Sequence, residues 1–445
     1  MRKMKDSGIE WIGEIPSEWE VRKINNCFNM IGSGTTPKSE IEDYYNGDIH
    51  WLQSGDIHGM YITNTEKYVN QNALQEFSVL KIYKAPFIVM AMYGASIANT
   101  GIVKIDCCTN QACCVLSIPQ NDICENYIYY SLISAKSELL LLSRGGTQPN
   151  ISKDIIKQLR IPVPLLNNQQ RIADFLDDKV VEIDSVISKT RETIEEYKKL
   201  KQSIITEVVT GKVKIENEKA CGKYDTYKDS GIEWIGKIPS EWSVIRTKFI
   251  SDSMSKGNGI TKEQIVQNGD SPCVRYGEIY SKYNHSFSNC ITKTNKSMYT
   301  NLQYFSYGDI LFACTGELPE EIGKNIVYLG NEDCLAGGDI IVMKHSQNPS
   351  FLNYVYNSYG QTQKSLGKTK LKVVHISATE IANIFVALPS LPVQQQIADF
   401  LDKKCSEIDK LITKKEQLVV ELEAYKKSLI YEVVTGKKEC VRKWK

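Results

Sequence analysis

Apolar residues recur at alternating intervals of three and four positions through two long segments, which is the pattern of a helix with one buried stripe. No glycine or proline interrupts either stripe, and Gly211 and Gly436 follow the last apolar turns, where helix ends favour glycine. The pattern predicts two helices of roughly 40 residues, each about 60 Å long. The stripes are Ile172, Leu176, Val180, Ile183, Ile187, Thr190, Ile194, Tyr197, Ile204 and Val208, then Ile397, Leu401, Cys405, Ile408, Ile412, Val419, Leu422, Leu429 and Val433.

A lone helix of this length with one apolar face must bury that face against another element. The simplest partner for each predicted helix is the other one, since the two stripes match in length and spacing. Duplication then favours an antiparallel pair around a pseudo-twofold axis. The alternative is two separate helices, each packed on its own part of the chain.

Outside the helices, short β-rich runs bounded by turn formers predict strands, whereas residues 126–142 and 351–366 predict short helices. The predicted strands include residues 87–90, 113–116, 309–312 and 339–343. We therefore predict an α+β fold: two mixed, mainly β modules separated by two long antiparallel helices in a pseudo-twofold arrangement.

The two halves of the chain repeat one frame around different inserts. Residues 5–19 and 228–242 differ only at Glu14 and Lys237, residues 172–179 and 397–404 read IADFLDDK and IADFLDKK, and both helices end in EVVTGK. Residues 25–160 and 248–385 share little beyond scattered positions such as Gly94 and Gly316. This pattern favours one scaffold that presents two different surfaces over a duplication whose inserts have simply drifted.

The repeat and the helices together predict the domain boundaries. They are a first module at 1–163, a first spacer helix at 164–212, a linker at 213–226, a second module at 227–388, a second spacer helix at 389–437 and a tail at 438–445.

Composition narrows the class of protein. The 445 residues carry a net charge of +1, and no apolar run reaches the roughly 20 residues of a membrane span. The 13 cysteines, without a secretory signal behind the N-terminus, predict reduced thiols in a cytoplasmic protein with no membrane association. The near-zero charge does not indicate a nucleic-acid binder, so any such role must depend on local features or on partner subunits.

The sequence contains no recognisable catalytic or metal-binding signature. The Gly-Lys-Thr at 367–369 lacks the glycine spacing of a phosphate-binding loop. Cys107, Cys108, Cys113 and Cys114 do not have zinc-site spacing, and the five histidines form no metal-ligand pair on a helix. We therefore predict no catalytic residues and no metal site, which favours a binding protein over an enzyme.

These residues resemble the specificity subunit of type I restriction–modification enzymes, and the resemblance covers almost the whole chain. The second half departs from it once, because the Thr-Gln-Pro-Asn-Ile-Ser of the first half keeps only its Ile-Ser there. The matching motifs are Gln169–Ala173 with Phe175–Asp177, Gln395–Ala398 with Phe400–Asp402, residues 145–152, residues 8–13 with Ile15 and Pro16, residues 34–37 and residues 308–312.

The resemblance implies a non-catalytic subunit with two target-recognition domains, each reading one half of an asymmetric, split target in double-stranded DNA. It implies that the paired helices set the spacing and dock two modification (methyltransferase) subunits, with restriction/translocase subunits joining where present. It also implies that this chain binds no cofactor, and that S-adenosylmethionine, ATP and Mg belong to the partner subunits.

Base reading uses Arg, Lys, Asn and Gln side chains, supported by hydroxyls that contact the DNA backbone. On this basis we predict DNA-contacting residues in both modules, and helix-pairing or partner-docking residues in the stripes. The first module offers Thr35, Thr36, Lys38, Tyr93, Ser96, Arg144, Thr147 and Gln148, and the second offers Lys256, Asn258, Thr261, Lys262, Arg275, Tyr276, Lys368, Lys370 and Lys372. The helix residues are Ile172, Leu176, Ile183, Ile187, Ile397, Leu401, Ile408 and Ile412.

Charge adds an expectation about affinity, since phosphate neutralisation drives most non-specific DNA binding. Residues 20–160 contain 12 basic and 13 acidic side chains, and residues 243–388 contain 14 and 12. The isolated chain is therefore expected to bind DNA weakly, with much of the positive charge supplied by its partners. Two alternatives stay open at this point: a pseudosymmetric adaptor that joins two proteins without DNA, and a nuclease with a dispersed carboxylate site.

Overall fold

The computed structural model describes residues 2–143, 149–368 and 374–440. The chain forms two compact units: Met1–Arg191 together with Gln417–Lys445, and Glu192–Glu416. The first unit is built from both ends of the chain, whereas the second is continuous. Each unit contains one module and one stretch of each long helix.

The first unit contains twelve strands among its described residues, together with four short helices and the start of a long helix. The strands are β1 (Met4–Asp6), β2 (Glu14–Pro16), β3 (Glu20–Lys23), β4 (Phe28–Gly32), β5 (Ile49–Leu52), β6 (Tyr61–Ile62), β7 (Lys67–Val69), β8 (Phe87–Ala91), β9 (Thr100–Val103), β10 (Cys108–Thr109), β11 (Cys113–Pro119) and β12 (Arg160–Val163). The helices are α1 (Gln71–Glu76), α2 (Glu125–Ser134), α3 (Lys136–Leu141), α4 (Lys153–Gln158) and the long α5 (Leu166–Val209).

The module of the first unit is organised around a five-stranded sheet in the order β4-β11-β8-β9-β6. Its neighbours are antiparallel except for β6 and β9, which run parallel. The central strand β8 is buried along its whole length, and its sequence is accordingly a continuous run of apolar residues. A three-stranded sheet, β10-β5-β7, lies beside it in the same module.

The second unit has a similar set of elements. Its strands are β13 (Ile215–Glu216), β14 (Lys219–Ala220), β15 (Tyr227–Asp229), β16 (Lys237–Pro239), β17 (Ser243–Arg246), β18 (Ser251–Lys256), β19 (Ser271–Val274), β20 (Ser286–Phe287), β21 (Thr292–Thr294), β22 (Tyr304–Phe305), β23 (Ile310–Ala313), β24 (Thr315–Gly316), β25 (Asn325–Tyr328), β26 (Cys334–Ala336), β27 (Ile340–His345), β28 (Val374–His375) and β29 (Phe385–Leu388). Its helices are α6 (Tyr276–Ser281), α7 (Pro349–Tyr356), α8 (Tyr359–Ser365), α9 (Ala378–Ala382) and the long α10 (Leu391–Val434).

The two modules share one topology although their sequences diverge. The five-stranded sheet β18-β27-β23-β25-β20 repeats the strand order of the first module, and β21-β19-β26-β22 repeats its smaller sheet with one strand added. Gly94 and Gly316 each lie three residues after the end of the central strand, Gly94 in a bend and Gly316 in the short strand β24. The predicted strands and short helices are present. The segment 213–226, predicted as a linker, contains the hairpin β13–β14 with Ile215 buried, so it is a folded connection.

The start of each long helix is fixed by a buried glutamine of the repeated frame. The side-chain amide of Gln169 donates to the carbonyl oxygens of Asp122 and Pro164, both at 2.8 Å, and its oxygen accepts from the Cys124 backbone at 2.9 Å. The side-chain amide of Gln394 donates to the Gln347 side-chain oxygen and the Pro389 carbonyl oxygen, both at 2.9 Å, and its oxygen accepts from the Asn348 backbone at 3.0 Å. Because both amides are fully buried, the loss of one would leave several backbone groups unpaired.

The other end of each long helix packs on the repeated Ile-Pro-Ser-Glu-Trp segment. Gly211 has a φ of +72°, and a Cβ added there would lie 2.4 Å from Pro239 and 3.3 Å from Trp242. Gly436, at +74°, stands in the same relation to Pro16 and Trp19. Only glycine combines this left-handed conformation with so close an approach. The frame is therefore repeated because each helix end needs one copy of that segment.

Within each unit the two long helices run antiparallel. In the first unit, Asp184 pairs with Lys426 and Arg191 with Glu423, both at 2.6 Å. In the second unit, Lys201 pairs with Asp409 at 2.6 Å, and Lys415 lies over the ring of Tyr197. Exposed ion pairs contribute at most about 1 kcal/mol each, so the buried apolar stripe stabilises the pairing far more.

Candidate nucleic-acid interface

Two loops of the first module converge on Gln111, an exposed residue in the turn between β10 and β11. The Thr36 hydroxyl donates to Gln111 Oε1 at 2.6 Å, and the Tyr93 hydroxyl donates to the Gln111 carbonyl oxygen at 2.6 Å. Gly34 allows this convergence, because a Cβ at that position would lie only 1.7 Å from the Thr109 carbonyl oxygen. The structure thus brings together Thr36 and Tyr93, two of the residues that the sequence predicted separately.

The other predicted residues of the first module lie around this point or outside the described residues. Thr35 accepts a hydrogen bond from the Trp51 indole at 3.2 Å through its carbonyl oxygen, Lys38 is exposed and Ser96 is half-buried. Arg144, Thr147 and Gln148 lie outside the described residues. Asn150 forms a β-bridge with Tyr93.

The equivalent turn of the second module carries different side chains. There Gly337 and Gly338 occupy the turn between β26 and β27, and Lys256 pairs with Asp339 at 3.3 Å. Asn258 accepts from the Gln303 backbone at 2.6 Å and bridges to Gly337. The two modules therefore present different donors and acceptors from the same position of a shared fold.

Thr261, Lys262 and Tyr276 of the second module are exposed, but Thr261 also caps a short 3-10 turn at Lys262–Gln264. Its backbone N–H donates to the side-chain oxygen of Gln264 at 2.9 Å. Of these three side chains, Lys262 and Tyr276 are the ones left available to a ligand by the described residues.

Two predicted cations of the second module are engaged within the protein. The Arg275 guanidinium lies 3.4 Å from Glu278, whose carboxylate also accepts the Arg275 backbone N–H. The Lys368 ammonium donates to Glu380 and to the His375 carbonyl oxygen. Arg275 and Lys368 therefore stabilise the loops to which they belong. Lys370 and Lys372 lie outside the described residues.

Sequence reasoning missed Gln111 and Asp339. Neither belongs to a motif of the family resemblance, and both occupy turns in the least similar part of the repeat. Only the matched strand order of the two modules shows that these turns are equivalent.

The eight predicted helix residues are all buried. Ile172, Leu176, Ile183 and Ile187 pack in the core of the first unit, and Ile397 and Leu401 pack in the main core of the second. Ile408 and Ile412 form a smaller cluster with Ile194. Their burial suits helix pairing, whereas a docked subunit would meet exposed positions such as Val181, which is 69% exposed.

A buried polar network is found in the second unit. The His285 ring lies 3.0 Å from the Asn353 amide nitrogen and stacks on Tyr354, with 3.9 Å between ring centroids. Asn353 accepts from Asn325 at 2.6 Å, and Asn325 accepts from the buried Lys364 ammonium at 2.9 Å. Burial lowers the pKa of Lys364 well below its ordinary value. Burial, followed by the charge of Lys201, lowers the pKa of His285 to about 3.

This network predicts that the second unit loses stability in mild acid. An unfolded histidine has a pKa of about 6.5, so between that value and about 3 the unfolded chain binds a proton that folded His285 does not. Stability is fully present above pH 6.5 and falls as the pH is lowered. From pH 7.5 to 5 we expect a loss of about 1–2 kcal/mol, reduced by the partial exposure of the ring.

Denaturant unfolding at the two pH values measures this loss. The His285→Gln variant should show a smaller pH dependence than the parent chain, and the His58→Gln variant, which changes an exposed ring, should behave as the parent does. Equal pH dependence in the parent and in His285→Gln would contradict the prediction.

The described residues contain no group of three or more His, Cys, Asp or Glu side chains arranged to hold a metal ion. All 13 cysteines are free thiols, and Cys108 and Cys113 lie in different sheets. Among the described helices, none is long and apolar enough to cross a membrane.

Comparison with known proteins decides the family. The model of the type I restriction modification DNA specificity domain matches residues 16–196 and again residues 239–421. The chain belongs to this family. It carries two copies of a DNA specificity domain, and the predictions of a specificity subunit and of a non-catalytic role are confirmed.

A curated relative and two solved structures agree with this assignment. The chain is 26% identical to the type I restriction enzyme MjaIX specificity subunit of Methanocaldococcus jannaschii, over 96% of this chain and 94% of that protein. A chain from a structure on complex assembly and conformational transition of the type I R-M system aligns with a TM-score of 0.73 at 15% identity, over 95% and 99% of the two chains. The HsdS subunit from Thermoanaerobacter tengcongensis gives 0.53 at 15% identity, over 95% and 98%. These likenesses confirm the predicted fold class.

Proposed function

We propose that this specificity subunit reads a bipartite, asymmetric DNA target, with one module for each half-site. The observation that carries the proposal is the pair of modules with one topology and different side chains at equivalent turns. A hydroxyl–amide pair, Thr36 and Gln111, lies at this turn of the first module, and a lysine–aspartate pair, Lys256 and Asp339, lies at the equivalent turn of the second. Different donors and acceptors select different base pairs in the major groove.

The paired helices fix the spacing between the half-sites and dock two modification subunits. A 44-residue helix is a rigid spacer, and the base pairs between the half-sites go unread. Docking uses exposed apolar side chains of the helices, such as Val181 and Val186 in the first unit and Leu200 and Leu411 in the second.

The partners supply the chemistry. S-adenosylmethionine binds the modification subunits, which methylate an adenine in each half-site, and ATP and Mg serve restriction subunits where these are present. The partners also supply much of the positive charge that grips the phosphates, because the chain itself has a net charge of only +1. A complex of this kind needs access to cellular DNA, which fits the predicted cytoplasmic location.

The test is the methylome of a host without its own adenine methylation that expresses this chain with the modification subunit of its system. We expect one interrupted motif whose two halves differ, with a methylated adenine in each half. Omission of this chain, with the modification subunit retained, is the control and should remove the motif.

An adaptor that joins two proteins without DNA predicts no such motif. The family match favours DNA, because its domain is defined by DNA specificity. A methylome that does not depend on this chain would favour the adaptor.

A further inference from the structure

We infer that Gln111 determines specificity in the first module by reading an adenine in the major groove, with Thr36 as its positioning residue. The inference rests on the proposed function and goes beyond it, because it assigns one base to one side chain. Gln111 is exposed in the turn between β10 and β11, where two loops from other parts of the module meet it.

Both the backbone and the side chain of Gln111 are held in place. The Tyr93 hydroxyl binds its carbonyl oxygen and the Thr36 hydroxyl binds Oε1, each at 2.6 Å. An exposed glutamine normally samples many rotamers and loses that freedom on binding. Here much of the ordering precedes DNA binding, which is what a reading residue needs for both affinity and selectivity.

The hydrogen bond from Thr36 also fixes the orientation of the Gln111 side-chain amide. The hydroxyl donates to the oxygen, so Oε1 keeps one free lone pair, and Nε2 keeps both hydrogens because it donates to no other described residue. One acceptor beside one donor matches adenine, whose N6 amino group donates and whose N7 accepts. Guanine presents two acceptors, O6 and N7, so the amide oxygen would face O6 unfavourably.

The second module lacks this arrangement. Its equivalent turn carries Gly338, which has no side chain, and the neighbouring Asp339 is paired with Lys256 at 3.3 Å. The close approach that aligns the loops is nevertheless the same, since a Cβ on Gly257 would lie 2.2 Å from the Gly337 carbonyl oxygen. The shared backbone positions the turn, and the side chain on the turn determines which base is recognised.

The experiment expresses the full chain with the modification subunit of its system in a host without adenine methylation. Gln111→Ala is compared with the parent by methylome sequencing. Synthetic duplexes that carry the parent motif, or the motif with G·C at the assigned position, then give relative methylation rates. The parent should prefer adenine roughly ten- to hundredfold at one unmethylated position of one half-site. Gln111→Ala should make that position degenerate and leave the other half-site unchanged.

Three further variants separate reading from folding. Thr36→Val, which removes the hydroxyl, should weaken discrimination at the same position, whereas Thr36→Ser should restore it. Gln75→Ala changes an exposed glutamine of α1 and should leave the motif intact. All variants should melt at the temperature of the parent, because the altered side chains are at the surface.

The outcomes distinguish this inference from the proposed function. An intact parent motif with unchanged discrimination in Gln111→Ala overturns the inference alone. So does a position that is degenerate in the variant but is not adenine in the parent. A parent complex that methylates no bipartite motif overturns the proposed function and, with it, the inference.

Discussion

Replacing both Ile183 and Ile187 with aspartate is expected to abolish the pairing of the long helices in the first unit. The two side chains are 7% and 5% exposed in a core that also contains Val419 and Leu429. Each change removes a packed apolar side chain and leaves an unpaired charge in its place. The combined cost is at least about 5 kcal/mol. Since a native domain is stable by about 5–15 kcal/mol, this loss approaches the whole stability of the unit.

Hydrogen exchange of the full chain measures the effect locally. Residues 166–191 and 417–434 should lose protection in the double variant, whereas the core of the second unit, which contains neither isoleucine, should keep it. Val181→Asp is the matched control, because Val181 lies on the same helix but is 69% exposed. If both helix stretches stay protected in the double variant, the buried seam does not hold the helices together.

The long helices could be predicted from the sequence because their signal is redundant. A stripe of about ten apolar positions with a single period leaves few alternatives for a helix, and each position from Ile172 to Val208 falls on the buried or half-buried face. The repeated frame could be detected but not explained. Its reason appears in the structure, where Gln169 hydrogen-bonds three backbone groups and Gly211 packs closely against Pro239.

The common topology of the modules could not be predicted, because strand order depends on contacts between residues far apart in the chain. Nor could the sequence predict which cationic side chains are paired within the protein. Arg275 and Lys368 have the residue types that bind DNA, yet Glu278 and Glu380 engage them within the protein. A composition-based prediction does not distinguish a cation held by a neighbour from one available to a phosphate. Gln111 was missed for the opposite reason. The two loops that hydrogen-bond to it are distant in the sequence and come together only in the folded protein.

Exchange of one insert for the other is expected to change the base sequence of one half of the DNA target completely. If residues 248–385 replace residues 25–160, the chain carries the second reader twice, and both half-sites should hold the base pairs now found in the second one. The spacing should not change, since α5 and α10 are untouched.

The structure supports these exchange points. The Ile24 backbone N–H donates to Leu159 at 2.9 Å, and the Thr247 N–H donates to Ile384 at 2.8 Å, so each insert leaves and rejoins its frame through the same contact. Among its contacts with its long helix, each insert has a tyrosine bound to a helix carboxylate, with Tyr130 bound to Asp177 at 2.7 Å and Tyr354 to Asp402 at 2.8 Å. The transplanted insert therefore finds its partner carboxylate already in place.

One contact should be lost in the exchange. The Tyr127 hydroxyl lies 2.7 Å from the Pro162 carbonyl oxygen and 3.0 Å from that of Val434, whereas the residue at the same place in α7, Phe351, has no hydroxyl. We expect a cost of about 1 kcal/mol, too small to unfold the chain. Methylome sequencing of the exchanged chain and of the reciprocal exchange, with residues 25–160 in both places, decides the result. The reciprocal chain should give the first half-site twice, and a motif that stays asymmetric in both would show that the inserts do not determine the bases that are read.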